Sequence, residues 1–125
     1  MLVIRRTQMA ALSSIYDARL GEEIMVHLRA LHPQVVVGLT AQELRARVDA
    51  SLSLGRRYSL EGCRSLAAFV VLRFTMAPGF HLQSKLQGIL SDVTSPSDIR
   101  IRRLSDQTTP DDWRAALAAE GAFSW

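Results

Sequence analysis

The segment 60–76 constrains the fold more than any other part of the chain. Its apolar side chains recur at helical spacing and occupy nearly every face of the predicted helix. They are Leu66, Ala67, Phe69, Val70, Val71, Leu72 and Phe74. A helix that is apolar nearly all round must be surrounded by other helices. We therefore predict a central helix that Ser59 caps and Pro78-Gly79 ends, with Phe80 folding back onto the core.

Start and stop signals predict further helices on both sides of this segment. They cover about 8–31, 41–54, 81–91 and 97–105, and a last one runs from Pro110 to near Gly121. Thr7 is the expected cap of the first helix, Thr40 and Glu43 form a capping box, and Gly55 is expected to end the second helix. The predicted fold is an all-α, single-domain bundle of five to six helices over residues 1–125. Residues 1–6 are an extended lead-in, and 122–125 form an apolar C-terminal tail.

Two short segments also carry a strand signal. Residues 34–39 are β-branched, and we interpret them as an extended connector packed on the core, with a strand as the alternative. Residues 99–102 alternate with strand period, but their helical surroundings favour a helix. The tail is either tucked under the core or offered to a partner.

Composition narrows the class of protein. With 48% hydrophobic residues the chain is expected to fold, and it has no apolar run of the roughly 20 residues that cross a bilayer. No membrane insertion is therefore predicted. The opening residues MLVIRR place apolar residues before the arginines, the reverse of a signal peptide. The cytoplasm is the expected location.

No pattern of catalytic, cofactor-binding or metal-ligating residues is recognisable. On one helix, His27 and His32 would point about 140° apart, and His81 has no acidic or cysteine partner at a ligand spacing. We expect the three histidines to be solvated or at helix ends. Cys63 is expected to be a small buried hydrophobe. We predict no enzyme, no cofactor and no metal.

Arginine dominates the basic residues, because Lys85 is the only lysine among 15. The arginines are interleaved with 12 acids, which argues against a nucleic-acid surface. The run Arg100, Arg102 and Arg103 is interpreted as a solvated face. Arg56 and Arg57 are interpreted as charges that offset the negative end of the second helix, although beside Tyr58 they also suit a phosphate or an acidic partner.

The stretch from residue 56 to residue 92 resembles a family of small helical proteins encoded beside bacterial type VI secretion and polymorphic-toxin genes. A thinner match that includes the capping box extends the resemblance to about residues 40–104. The matching positions are Arg56 (or Arg57), Tyr58, Leu60, Leu66, Phe69, Val70, Leu72, Phe74, Pro78, Gly79, Phe80, Ile89, Leu90 and Asp92. Family members usually have Gly after the tyrosine, where this chain has Ser59. The resemblance implies an accessory or adaptor protein that helps load a toxin or spike component by binding it, without catalytic residues.

The predicted function is therefore that of a non-enzymatic, protein-binding chaperone, co-chaperone or adaptor for a secreted effector. An immunity protein that neutralises a cognate toxin, or a small basic nucleic-acid-binding protein, is the alternative. The sequence leaves the oligomeric state open. Large aromatic residues and arginine dominate interface energies. The expected partner surface consists of Arg56, Arg57, Tyr58, Trp113, Phe123 and Trp125.

Overall fold

Six α-helices and two short 3₁₀ turns build the part of the chain that this computed structural model describes, which is residues 6–118 and Trp125, with side chains from Tyr16 onward. No strand occurs within those residues. The helices are α1 (Arg6–Leu31), α2 (Ala41–Arg57), α3 (Cys63–Thr75), α4 (Ser84–Leu90), α5 (Ser97–Asp106) and α6 (Pro110–Ala118), and the 3₁₀ turns cover Pro33–Val35 and Phe80–Leu82. The predicted all-α bundle is confirmed.

The core forms around α3, which packs against α1, α2 and α5. Leu66, Phe69 and Val70 of α3 are fully buried, and Phe80 folds back onto them as predicted. Its ring centroid lies 5.5 Å from that of Phe69. The inward side of α3 is therefore the centre of the bundle. Other fully buried apolar side chains include Leu28, Val48, Leu60, Leu86 and Leu90.

The long helix α1 lies along α2, and Gly21 marks their close approach. A Cβ atom added at Gly21 would lie 3.5 Å from Asp49 Oδ1 and 3.7 Å from Val48 Cγ1, both on α2. The buried face of α1 contains Leu20, Ile24, Met25 and Leu28. Tyr16 and Leu31 continue the same helical spacing but are exposed. The helix already includes Arg6 and Thr7, so Thr7 is not its cap.

Helix α2 begins as predicted and ends later than predicted. The Thr40 hydroxyl accepts a hydrogen bond from the Glu43 amide at 3.1 Å. Gly55 does not end the helix; it lies inside the last turn and is buried. An added Cβ there would lie 3.0 Å from Leu66 Cδ2 and 3.3 Å from Phe69 Cδ1. Glycine is needed at this position because α3 passes directly over the α2 backbone.

The turn from α2 to α3 places Ser59 in the left-handed region, with φ 59°. The Leu60 amide donates to the Gly55 carbonyl at 3.1 Å, and the Ser59 amide donates to the Arg56 carbonyl at 2.9 Å. This pair of bonds is the Schellman motif, with Ser59 at the position that glycine usually takes. Ser59 therefore terminates α2, and the prediction that it caps the next helix is wrong. Helix α3 begins at Cys63, after Gly62.

The remaining elements follow the sequence signals with two corrections. The segment 34–39 is not extended: it continues the Pro33–Val35 3₁₀ turn into a further turn, and Val37 is 78% exposed. The predicted helix 81–91 is split into the second 3₁₀ turn and α4, and Leu82 in the 3₁₀ turn is exposed. Helix α5 covers the segment with strand periodicity, as predicted.

Candidate functional site

The outer face of α3 is only half covered and forms the floor of an apolar groove. The helix buries Phe69 and Val70 on its inner side, while Val71 and Leu72 on the other side stay partly exposed. Because α3 is apolar nearly all round, it has more apolar surface than α1, α2 and α5 cover. The groove has a volume of about 890 Å³ and is lined by Ala68, Val71, Leu72, Thr75, Met76, Ile101, Leu104, Ser105, Thr108, Thr109, Pro110, Trp113, Arg114 and Leu117.

Helices α5 and α6 form the opposite wall of this groove. The beginning of α5 is fixed to the beginning of α3, because the Glu61 amide donates to Ser97 Oγ at 2.8 Å. Helix α6 starts with a capping pair in which the Thr109 amide donates to Asp112 Oδ2 at 2.8 Å. That bond, together with the nearby Lys85, lowers the pKa of Asp112. The ion pair of Lys85 and Asp112, 3.2 Å long, connects α6 to α4.

Trp113 is held in the groove wall by a polar contact and a ring contact. Its Nε1 donates to Thr108 Oγ1 at 2.9 Å, and its ring centroid lies 5.3 Å from that of Phe80. Phe80 in turn contacts Phe69 in the core. The indole therefore has a fixed orientation, with its polar atom satisfied and part of its apolar ring facing the groove.

The rim of the groove exposes large apolar side chains. Met76 is 44% exposed, and Leu117, across the groove, is 51% exposed. Contiguous apolar surface of this kind marks interaction sites on soluble proteins. The groove has the chemistry to bind an apolar surface. Arg114 and a few hydroxyl side chains are the polar groups among its lining residues.

Among the described residues that were predicted to contact a partner, Trp113 is the one that lines this groove. Arg56 instead pairs with Asp17 of α1 at 2.7 Å. Arg57 is exposed in the last turn of α2. Tyr58 is half-buried, with its ring centroid 6.2 Å from that of Phe69. The predicted basic-aromatic group is thus divided between an ion pair, a solvated helix end and the edge of the core.

The C-terminal Trp125 packs against side chains that are not among the groove-lining residues. Its ring centroid lies 4.6 Å from that of Phe74 and 4.8 Å from the guanidinium carbon of Arg73. Arg47 of α2 lies over the same ring at 5.2 Å. Phe123 lies outside the described residues. A role for these two residues in partner binding stays a prediction.

Sequence reasoning missed most of the groove. Val71, Leu72, Met76, Ile101 and Leu117 each lie on an apolar helix face, and such a face predicts core as readily as it predicts a binding surface. One signal was present: α3 has more apolar faces than its neighbours can cover.

Arg73 and His81 are both buried. His81 was predicted to be solvated or at a helix end, and the sequence gave no prediction for Arg73. Arg73, 1% exposed, donates from Nε to the Pro78 carbonyl at 2.8 Å and from Nη1 to Ser51 Oγ at 2.9 Å. Burial lowers its pKa to about 10, so it stays cationic at neutral pH. His81 is 3% exposed, and burial together with the charge of Arg73 lowers its pKa to about 4. Its imidazole is therefore neutral at pH 7.

Arg100 is also buried, at 2% exposure, and the prediction that it belongs to a solvated face is wrong. Its guanidinium donates to the carbonyls of Tyr58, Leu90, Ser59 and Ser95 at 2.6, 2.8, 3.0 and 3.0 Å. These carbonyls belong to the α2–α3 turn, the end of α4 and the loop before α5. Arg100 is thus a structural link between three chain segments.

The structure also corrects the expectations for Cys63 and the histidine pair. Cys63 is exposed, because α3 starts at this residue rather than at Leu60. His32 leaves the helix, so its ring centroid lies 5.6 Å from that of His27 instead of pointing away. Within the described part of the chain, no three His, Cys, Asp or Glu side chains converge to hold a metal ion.

Comparison with protein families, with curated proteins and with solved structures gives no match to this chain. In the described residues, the helices are too short or too polar to cross a bilayer.

Proposed function

We propose that this protein is a non-enzymatic binding protein whose α3–α5–α6 groove takes an apolar segment of a protein partner. The observation that carries the proposal is the half-exposed outer face of α3, which with Trp113 and Leu117 forms a groove of about 890 Å³. Apolar anchors of a partner helix in such a groove are a common mode of recognition. The resemblance to accessory proteins of type VI secretion makes a secreted effector or a spike component the expected partner class.

The arginines give less support to nucleic-acid binding than their number suggests. Among the described residues, Arg45, Arg56 and Arg103 form ion pairs with acids of the same chain. Arg73 and Arg100 are buried. These guanidinium groups are thus occupied within the fold, whereas phosphate contacts need exposed, clustered cations.

The test is capture of the tagged protein from its own host, with quantitative mass spectrometry of the proteins that co-purify. Leu117→Lys puts a charge in the groove at a side chain that is 51% exposed, so the fold is expected to tolerate it. Leu82→Lys is the matched control, because Leu82 is 53% exposed and does not line the groove.

We expect the wild type and Leu82→Lys to capture the same partner and Leu117→Lys to lose most of it. A partner captured equally by both variants excludes the groove as its site. Salt-sensitive capture of nucleic acid in place of a protein would favour the nucleic-acid alternative. The identity of the captured protein separates a secretion adaptor, which brings down an effector or spike component, from an immunity protein, which brings down a toxin that it inhibits.

A further inference from the structure

The edge of the groove carries a positive charge that faces no acid from within the groove. Among the described residues that line it, Arg114 is the only charged one. Arg114 pairs with Asp111 at 2.7 Å, and the two side chains are 75% and 83% exposed. An ion pair this exposed contributes little and exchanges readily with another partner.

The length of the floor matches the anchor spacing of a helix. From Ala68 to Thr75, α3 runs for about 10.5 Å at the rise of an α-helix. Apolar anchors at positions i, i+3 or i+4, and i+7 of a partner helix span about 10.5 Å. The walls are themselves helices, and no strand edge occurs in the described residues to which an extended segment would pair.

We propose that the groove binds an amphipathic helix that places a carboxylate opposite Arg114. This rests on the proposed function and adds the secondary structure and the charge of the partner segment. The apolar floor supplies the affinity, and the guanidinium at the α6 edge selects an acidic residue beside the apolar stripe.

The test uses two synthetic, fluorescein-labelled 14-residue helices with the same leucine stripe. One carries glutamates beside the stripe and the other carries lysines. Fluorescence anisotropy against the full chain measures both dissociation constants at low and at high salt. We expect the glutamate peptide to bind about fivefold more tightly at low salt, and the ratio to approach one at high salt.

Three variants locate the effect at this edge of the groove. Arg114→Glu is expected to reverse the preference, and Asp111→Asn to increase it, because it releases the guanidinium. Arg102→Glu changes an exposed arginine of α5 that does not line the groove, so the preference is expected to stay unchanged.

The outcomes distinguish the two proposals. Equal binding of both peptides, or an unchanged preference in Arg114→Glu, overturns the acidic-helix inference and leaves the groove as a protein-binding site. Binding of neither peptide overturns the inference and removes the support for the groove. Binding that Leu117→Lys does not weaken places the peptides elsewhere on the protein and overturns both.

Discussion

Replacing Arg100 by methionine tests whether a single buried guanidinium holds three chain segments together. Methionine keeps the apolar stem and removes all the donors. Four carbonyls lose a charged hydrogen-bond donor, and the bond to the Leu90 carbonyl lies fully inside the protein. The other three carbonyls are partly buried, so water can replace part of what they lose.

The expected loss of unfolding free energy is about 3 kcal/mol. A buried carbonyl without a donor costs about 1–3 kcal/mol, and we assign about 1 kcal/mol to each carbonyl that water partly reaches. Removal of a buried cation returns part of this, because its desolvation no longer opposes folding. A domain of this size has a free energy of unfolding of about 5–15 kcal/mol, so the variant is expected to fold but with much lower stability.

Urea unfolding followed by circular dichroism at 222 nm measures the effect. With a slope of about 2 kcal/mol per molar, the midpoint is expected to fall by about 1.5 M. Arg100→Lys, which keeps the charge but not the planar fork, is expected to lose about half as much. Arg102→Met is the control, because Arg102 is exposed, and its effect is expected to be within about 0.5 kcal/mol. If Arg100→Met matches this control, the linking role of Arg100 is refuted.

Three other predictions follow from the backbone and the core. Ser59→Gly is expected to raise the free energy of unfolding by up to about 1 kcal/mol, because glycine adopts the φ of 59° at this position without strain. An unchanged melting temperature would contradict the assignment of Ser59 to the glycine position of a Schellman motif. Gly55→Ala is expected to destabilise the fold by about 1–2 kcal/mol, because its Cβ would meet a side chain at 3.0 Å. Gly21→Ala, where the nearest atom lies at 3.5 Å, is expected to be neutral or stabilising, and equal losses of stability in urea unfolding would contradict this difference. His81 has a pKa of about 4 when folded, below the ordinary 6.5, so the unfolded chain binds the proton first and stability falls as the pH drops from about 6.5 to 4, by up to about 3 kcal/mol. His81→Gln is expected to flatten that part of the pH profile, and an unchanged slope would show that other groups cause it.

Local chemistry allowed the existence and order of the helices to be predicted. The capping box at Thr40, the break at Pro78-Gly79 and the proline at the start of α6 act through neighbouring backbone groups. Each of these helix ends depends on a few adjacent residues, so it can be predicted from the sequence alone. The apolar period of α3 likewise predicted a helix with neighbours on several sides.

The roles of single residues could not be read in the same way. Arginines at positions 73, 100 and 102 look alike in sequence, yet the first two are buried and the third is exposed. Burial of a guanidinium depends on whether distant carbonyls converge on it, as those near residues 58 and 90 do on Arg100. That convergence is a property of the packed chain.

The sequence by itself determined that this chain is an all-α bundle built on the apolar segment 60–76, because helical period and helix ends are local properties. Only the tertiary structure decided which face of α3 is core and which is groove. That division depends on how much of the helix the neighbouring α1, α2 and α5 cover, and on where α6 places Trp113. An apolar side chain in the core and one in the groove give the same sequence pattern. The hydrophobic effect is not directional, so the pattern does not specify what covers each face.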